Sequence, residues 1–517
     1  MRPLVLVILD GWGYSPQKLD NAIASAQTPI INSIWQNYPT LLLQASAKSV
    51  GLEWGEPGNS EVGHLTLGAG RTINQYSTRI NQSISSGSFF ENPVLLKTSE
   101  HVRQHNSSMH FIGLLGSGTV HSSLNHLEAL IDFAKKINLP SVQLHLFTDG
   151  KDSGLKEAPT LIKKLQTKLT ETGVGSIATI IGRMYPMDRD TNWDRTQTAF
   201  NLWTKGEGEP VQDIMTALAT AYEKEANDTT LPPMVLNPAG IIKENDAIVF
   251  FNFREDSMRQ IAHTFLDAEF KEFPRVLPAN VFITVMTQYL EAEESPYVIF
   301  PLPEVKNGLA EIFSLQGQSQ LHLAETEKYA HTTYFFNCLH SKSFQGEKDI
   351  IIPSNKDHAS HPEMRAKEIG ETFAAEFSKN PYPFSIINFA NADILSHTGN
   401  LEVTTKGIAA IDSALAIVQQ TILTAGGIMI ITADHGNAES LTYTGTGEAE
   451  TKHNLNPVPF YLVAQEFQRP RTPQDIEASV VSPQGIISDV APTILELLQI
   501  PIPVEMTGSS LLLLIKR

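Results

Sequence analysis

The sequence predicts an α/β protein of two domains, one of them assembled from both ends of the chain. Three observations carry this expectation. Apolar strand-like runs alternate with helix-like stretches almost throughout, which is the α/β pattern. At 517 residues the chain is longer than one typical domain. The segments richest in chemical groups lie before residue 70 and after residue 390, so they can meet only if the chain between them forms an inserted unit.

Taken in order, the first element is the apolar run Leu4 to Leu9, which ends in Asp10-Gly11-Trp12-Gly13. Next comes Gly58-Asn59-Ser60-Glu61-Val62-Gly63-His64, read as a small-residue loop able to present a serine. The inserted unit has five expected core strands: Met109–Leu115, Val142–Phe147, Ser176–Ile181, Ala247–Phe253 and Asn280–Thr287. Loops after the first four carry His121, Asp149 with Asp152, Arg183 with Arg189, and Arg254, giving a second parallel α/β unit with a polar rim. Pro301-Leu302-Pro303 reads as a linker, so the division is 1–76 with 304–517 against 77–303. Beyond it, Ser385 to Ala392 runs into Asp393 with His397 four residues on, and Ile428 to Ala433 runs into Asp434-His435-Gly436. The closing run Leu511 to Ile515 is too short to span a bilayer and is expected to be the buried edge of a last helix or strand.

Composition narrows the function classes. Apolar residues make up 41% and charged residues 18%, enough to build substantial cores. A formal net charge of −18 argues against nonspecific nucleic-acid or anionic-membrane binding, but not against a local basic cluster for an anionic small molecule. The single cysteine, Cys338, allows no intrachain disulfide and fits a reducing cytoplasm. No apolar run approaches the ~20 residues of a membrane span, and the N-terminal run lacks a cleavage site.

In parallel α/β sheets, functional groups gather beyond the carboxyl ends of the strands. Three acids at strand ends, with histidines beside two of them, read as a two-metal site. Asp393 and His397 are spaced to share one face of a helix, although a capping Asp and a surface His would look the same. Asp434-His435 is the stronger signal, and His453 gains weight because a metal near Asp393 and His397 needs a third ligand. Ser60 is either a turn serine or a hydroxyl activated by those metals as a nucleophile. Arg183, Arg189 and Arg254 suit bidentate clamping of phosphate or carboxylate, the alternative being surface ion pairs. Lys328 lies in a charged segment that reads equally well as exposed.

These residues sit in motifs that resemble the cofactor-independent (2,3-bisphosphoglycerate-independent) phosphoglycerate mutases of the alkaline phosphatase superfamily. The likeness runs nearly end to end. It rests on Leu9-Asp10-Gly11-Trp12-Gly13, the Gly58 to His64 segment, Leu67-Gly68-Ala69-Gly70-Arg71 and Thr78-Arg79-Ile80-Asn81. It continues through Ile181-Gly182-Arg183, Met187-Asp188-Arg189-Asp190, Phe251-Asn252-Phe253-Arg254 and Ala324-Glu325-Thr326-Glu327-Lys328-Tyr329. It closes with Asn388-Phe389-Ala390-Asn391, Thr432-Ala433-Asp434-His435-Gly436-Asn437 and Asn456-Pro457-Val458-Pro459-Phe460.

The resemblance implies an alkaline-phosphatase-like domain formed by both chain ends, and an inserted phosphotransferase domain that binds substrate. It implies two divalent ions of manganese type and no requirement for 2,3-bisphosphoglycerate. Asp393, His397 and His453 match the ligands of one ion; Asp10, Ser60, Asp434 and His435 match those of the other. Ser60 matches the phosphoryl carrier and Lys328 a lysine supporting the transfer. His121, Asp152, Arg183, Arg189 and Arg254 match substrate-binding positions, Asp152 as acid/base for the glycerate hydroxyls. The implied reaction interconverts 3-phosphoglycerate and 2-phosphoglycerate, in a cytoplasmic monomer without nucleic-acid or membrane partners. Departures from the family pattern cluster on the inserted unit. Gly116 to Ser123 stands where the family reads Ser-Asp-Gly-Gly-Val-His-Ser-His, Lys151 stands for an arginine, and Ser257 stands where a second arginine follows Arg254. They leave open a metal-dependent phosphatase or phosphodiesterase, or a mutase of another phosphorylated small molecule. Ser257 is expected to thin the anion clamp.

Overall fold

Leu4–Leu9 consists of six apolar residues, all buried, and such a run can only be a strand covered on both faces. In the computed structural model, which describes residues 1–290, 297–443 and 445–515, it lies inside a mixed eight-stranded sheet. The chain divides into two compact units, Met1–Gln75 with Glu304–Arg517, and Tyr76–Pro303. The first unit's sheet runs, edge to edge, Glu347–Ile352, Gln320–Glu325, Phe384–Phe389, Leu4–Leu9, Ile428–Thr432, Val458–Val463, Thr40–Gln44 and Gly485–Ile486. Its first five strands are parallel; Val458–Val463 runs antiparallel to both of its neighbours.

The helix Leu401–Thr424 has the length and hydropathy of a membrane span, contrary to the expectation that no such segment exists. Its residues Ile408, Ile411, Leu415, Val418 and Ile422 belong to this unit's core. From the same helix, buried Asp412 accepts hydrogen bonds from the Ile30 and Ile31 amides at 3.0 and 2.9 Å, capping the helix Pro29–Asn37. The closing apolar run forms the short helix Leu512–Ile515, with Leu512 and Ile515 buried and Leu513 73% exposed.

The second unit is built on another eight-stranded sheet, in the order Val298–Phe300, Phe282–Thr287, Ala247–Phe250, Met109–Leu115, Val142–Thr148, Ser176–Gly182, Met234–Val235 and Glu209–Pro210. Six strands are parallel, but Met234–Val235 pairs antiparallel with Ser176–Gly182, so the all-parallel expectation fails at that edge. Two expected strands are also shorter. The Ala247 strand stops at Phe250 because the Asn252 side chain, rather than a backbone carbonyl, accepts the Leu114 amide at 2.9 Å. The strand expected from Asn280 begins at Phe282, because Asn280 takes a left-handed turn conformation with φ 53°.

A buried polar chain crosses this second sheet. Asp246 Oδ2 meets His110 Nε2 at 3.0 Å, His110 Nδ1 meets His145 Nε2 at 2.9 Å, and His145 Nδ1 meets Thr179 Oγ1 at 2.8 Å. Burial, and then the neighbouring His110, push His145 well below its ordinary value of 6.5. The folded protein therefore keeps His145 neutral while the unfolded chain protonates it below about pH 6.5. The stability it contributes is complete above that pH and is lost as the pH falls toward the depressed folded value. Chemical denaturation at pH 7.5 and pH 5 should show a smaller acid-induced loss in His145→Gln than in the parent. Equal losses would mean that His145 titrates normally in the fold.

Candidate active site

Strand register explains how acids far apart in sequence meet. Leu4–Leu9 lies between Phe384–Phe389 and Ile428–Thr432, with Leu9 opposite Phe389 and Ile8 opposite Thr432. Asp10, Asp393 and Asp434 therefore emerge at the same carboxyl edge, all three buried. Asp393 and His397 fall on and just after the single-turn helix Asn391–Ser396, and their contacting atoms are 3.3 Å apart, as their spacing requires. Two glycines permit the close packing. Gly11 has φ +73°, and a Cβ there would come within 2.7 Å of the Asp393 backbone. A Cβ on Gly63 would come within 2.6 Å of Asp434.

Ser60 is not in a loop. It is the first residue of the helix Ser60–Ala69, because the Asn59 side chain caps that helix by accepting the Val62 amide at 3.1 Å. Its Oγ donates to Asp10 Oδ1 at 3.0 Å, lies 3.1 Å from His435 Nε2, and accepts from Lys328 Nζ at 2.7 Å. Lys328 is not exposed either. At 4% exposure, its ammonium also donates to Asp10 at 2.7 Å and Asp393 at 2.6 Å. Burial alone would depress Lys328, but Asp10, Asp393 and Asp434 overcome it and hold the amine protonated. Burial would likewise raise Asp10 and Asp393, yet Lys328 above all pulls both well below the usual carboxylate range. His435 follows the same logic: burial opposes its charge, and Asp434, Asp10 and Asp393 raise it to about 9.

Two donor groups could each hold a cation: Asp393 with His397 and His453, and Asp10 with Asp434 and His435. Within each group the candidate ligand atoms lie within 4.8 Å of one another. The imidazoles are oriented for this role. His397 Nδ1 meets the Thr451 carbonyl at 2.8 Å and His453 Nδ1 meets the Gly58 carbonyl at 2.9 Å, which places their protons on Nδ1. Their bare Nε2 atoms then converge, 3.3 Å apart and 3.3 and 3.1 Å from Asp393 Oδ1, an acceptor cluster that calls for a cation. Asp434 Oδ2 is buried without a hydrogen-bond donor; His64 Nδ1, 3.2 Å away, is committed to the Ser60 carbonyl at 2.8 Å. Mixed imidazole and carboxylate donors suit manganese, cobalt or zinc. A third candidate group, His322 with Glu347 and Asp349, fits less well, because both His322 ring nitrogens are engaged, Nδ1 with the Thr332 carbonyl at 2.7 Å and Nε2 with Gln320 Oε1 at 3.2 Å.

Sequence reasoning missed the supports of this site. Asn388 Nδ2 donates to Asp10 Oδ2 at 2.8 Å and meets His64 Nε2 at 3.0 Å. Asn437 Nδ2 donates to Asp393 Oδ1 at 3.0 Å. The available signal was Asn388 near the carboxyl end of the strand Phe384–Phe389, whose one other polar residue is Ser385.

The second unit carries its own cavity, of about 360 Å³, lined by His121, Lys151, Asp152, Arg183, Arg189 and Arg254 among others. The three arginines, read from sequence as an anion clamp or as ion-pair formers, are all ion-paired in the fold. Arg183 is tied to Asp149 and, at 2.6 Å, to Asp152. Arg189 and Arg254 share Asp256 at 2.7 and 3.2 Å. Arg195, also lining the cavity and not singled out from sequence, pairs with Asp188 at 3.0 Å. Lys151 has no salt bridge among the described residues. Burial, followed by Arg183, lowers His121 to about 4, so it is neutral at physiological pH.

An α/β unit in which buried acids and imidazoles form two candidate metal-binding groups around a helix-terminal serine defines a class of metal-site protein. A family model described as the BPG-independent PGAM N-terminus matches residues 80–291. A 2,3-bisphosphoglycerate-independent phosphoglycerate mutase from Cyanothece is 42% identical over 99% of this chain and 96% of its own. One from Clostridioides difficile is 40% identical, with 99% of both chains covered. The crystal structure of Leishmania mexicana phosphoglycerate mutase at low cobalt concentration superimposes with a TM-score of 0.69 at 27% identity, covering 98% of this chain and 97% of that one. The chain belongs to the 2,3-bisphosphoglycerate-independent phosphoglycerate mutase family.

Removing Lys328 would leave its buried carboxylates uncompensated, which typically costs ~3–5 kcal/mol. Metal-stripped Lys328→Met should therefore melt ~5–15 °C below the metal-stripped parent. Coincident melting curves would show that the ammonium does not hold the acids together.

Proposed function

We propose that this chain interconverts 3-phosphoglycerate and 2-phosphoglycerate without 2,3-bisphosphoglycerate, carrying the phosphoryl group on Ser60. The observation that carries the reading is the placement of Ser60 Oγ within 2.7–3.1 Å of Lys328, Asp10 and His435. Asp393, His397 and His453 would hold one divalent ion, and Asp10, Ser60, Asp434 and His435 a second, with manganese the metal proposed. Such ions lower the pKa of a bound hydroxyl and offset phosphoryl charge.

The chain's own groups supply the rest. The Ser60 proton would be released to solvent when the ions bind, and the Lys328 ammonium stabilises the serine oxygen in its anionic form. Ser60 Oγ forms a bond to phosphorus while the bond from phosphorus to the glycerate O3 breaks, and Asp152, entering this half protonated, gives its proton to that oxygen. In the second half, Asp152 accepts the proton of the O2 hydroxyl as O2 attacks phosphorus and Ser60 leaves. The phosphoserine would sit at the N-terminus of the helix Ser60–Ala69, where the helix dipole favours a dianion. The cavity of the second unit is assigned the glycerate, through His121, Arg183, Arg189 and Arg254, with Lys151 adding charge. The proposal includes a cytoplasmic monomer with no nucleic-acid or membrane partner.

The test is a coupled assay on purified protein with 3-phosphoglycerate, manganese and excess enolase, without bisphosphoglycerate, following phosphoenolpyruvate and free phosphate together. Phosphoenolpyruvate should appear with little phosphate; phosphate released as fast as substrate is lost would make the protein a phosphatase instead. Ser60→Ala should reduce turnover on the order of 10³-fold or more, with the fold intact by circular dichroism. Retention of substantial activity would exclude a phosphoserine. Chelation should abolish turnover, and manganese should restore it. Full activity in protein shown by elemental analysis to be metal-free would remove the metals from the reading.

A further inference from the structure

We infer that Ser257 is a positioning residue whose hydroxyl donates to His121 Nδ1, so that His121 presents Nε2–H to the cavity as a neutral hydrogen-bond donor for a substrate oxyanion. The inference rests on the proposed assignment of this cavity to the phosphorylated substrate. Sequence comparison treats Ser257 as a gap in the anion clamp, since the family resemblance places an arginine there. The structure gives the serine a task of its own.

Ser257 is 3% exposed and His121 is 7% exposed, and both line the cavity. Ser257 Oγ lies 3.0 Å from His121 Nδ1, its one side-chain hydrogen bond among the described residues. The same loop also grips the His121 backbone. The Phe253 and Arg254 amides donate to the His121 carbonyl at 2.8 and 3.4 Å. The Ser257 amide donates to Asp256 Oδ1 at 2.8 Å, which fixes the serine from the other side. Position and ring orientation of His121 are therefore both set by residues 253–257.

A neutral imidazole carries one proton, and the surroundings decide which nitrogen holds it. If Nδ1 held it, Nδ1–H would donate to Ser257 Oγ, and the serine proton would be buried with no acceptor. Nε2 would then turn a lone pair toward Asp152 Oδ2, 3.8 Å away, and toward an anionic substrate. If Nε2 holds the proton, Ser257 O–H donates to Nδ1 and every polar atom is matched. Nε2–H then faces the Asp152 carboxylate and the cavity, as a donor should. Asp256 Oδ1 lies 3.9 Å from Nδ1, too far to compete with the 3.0 Å contact from Ser257. His121 then acts by donation and transfers no proton, which leaves acid/base work to Asp152.

The test combines a spectroscopic and a kinetic readout on the full-length protein. Histidine-selective ¹⁵N labelling, with the His121 signals assigned by their loss in His121→Gln, should show the Nε2–H tautomer at pH 7.5. Ser257→Ala should convert it to a tautomer mixture or to Nδ1–H and raise the KM for 3-phosphoglycerate roughly tenfold or more, with a smaller change in kcat. Ser257→Thr, which keeps the hydroxyl, should restore the parent pattern. An Nδ1–H tautomer in the parent, or an unchanged tautomer in Ser257→Ala, would overturn the positioning role. So would a tautomer change with no change in KM. If the tautomer behaves as inferred while the parent shows no mutase turnover, the substrate assignment fails and the Ser257–His121 contact stands.

Discussion

The first unit depends on one electrostatic constraint: three carboxylates, Asp10, Asp393 and Asp434, buried together at the carboxyl edge of adjacent parallel strands. Buried carboxylates are tolerated only with compensating charge and hydrogen bonds. Lys328 supplies an ammonium, His435 is pushed toward its charged form, and Asn388 and Asn437 donate to the carboxylate oxygens. They arrive from three separate stretches of chain, around residues 328, 388 and 435–437, so the acids dictate where the strands, the Ser60 helix and the Lys328 turn must come together. Reactivity and stability here have the same source: the concentration of negative charge that draws in a cation also fixes the serine beside it.

The cavity of the second unit solves the opposite problem. Its arginines would repel one another if left alone, and they are held in place by Asp149, Asp152, Asp188 and Asp256. An anion entering this cavity exchanges one set of ion pairs for another. The net gain is therefore much smaller than a count of guanidinium groups suggests, because each new contact is offset by a carboxylate that loses its partner. Lys151, without a salt bridge among the described residues, escapes that exchange and so carries weight out of proportion to its single charge.

Much of this was legible in the sequence, and the unread part has a physical reason. Leu4–Leu9 followed by Asp10 was readable because a fully apolar run ending in an acid has few structural solutions. The pairing of Asp393 with His397 followed from helical spacing. Ser60 was misplaced into a loop because Gly63 and Gly68 weaken helix propensity; both are there to let Asp434 and the Phe336 carbonyl approach the helix closely. The burial of Lys328 was hidden because its neighbours are charged and its acidic partners are distant in sequence. The pairing of Asp256 and Asp188 with arginines escaped notice for a similar reason: local sequence reports which charges exist, while pairing depends on loops that meet only in the folded unit.

The central strand of the first unit also has a history imposed by synthesis. Leu4–Leu9 leaves the ribosome early, but its two sheet neighbours, Phe384–Phe389 and Ile428–Thr432, follow only after the whole second unit has been made. At ~5–20 residues per second that delay lasts tens of seconds. During it, six consecutive apolar residues with unmet backbone groups must wait. The uninterrupted stretch Tyr76–Pro303 can complete its sheet meanwhile. The newborn chain thus passes through a stage with one finished unit and an N-terminal segment whose central strand lacks both sheet neighbours, the form most exposed to chaperones and to aggregation.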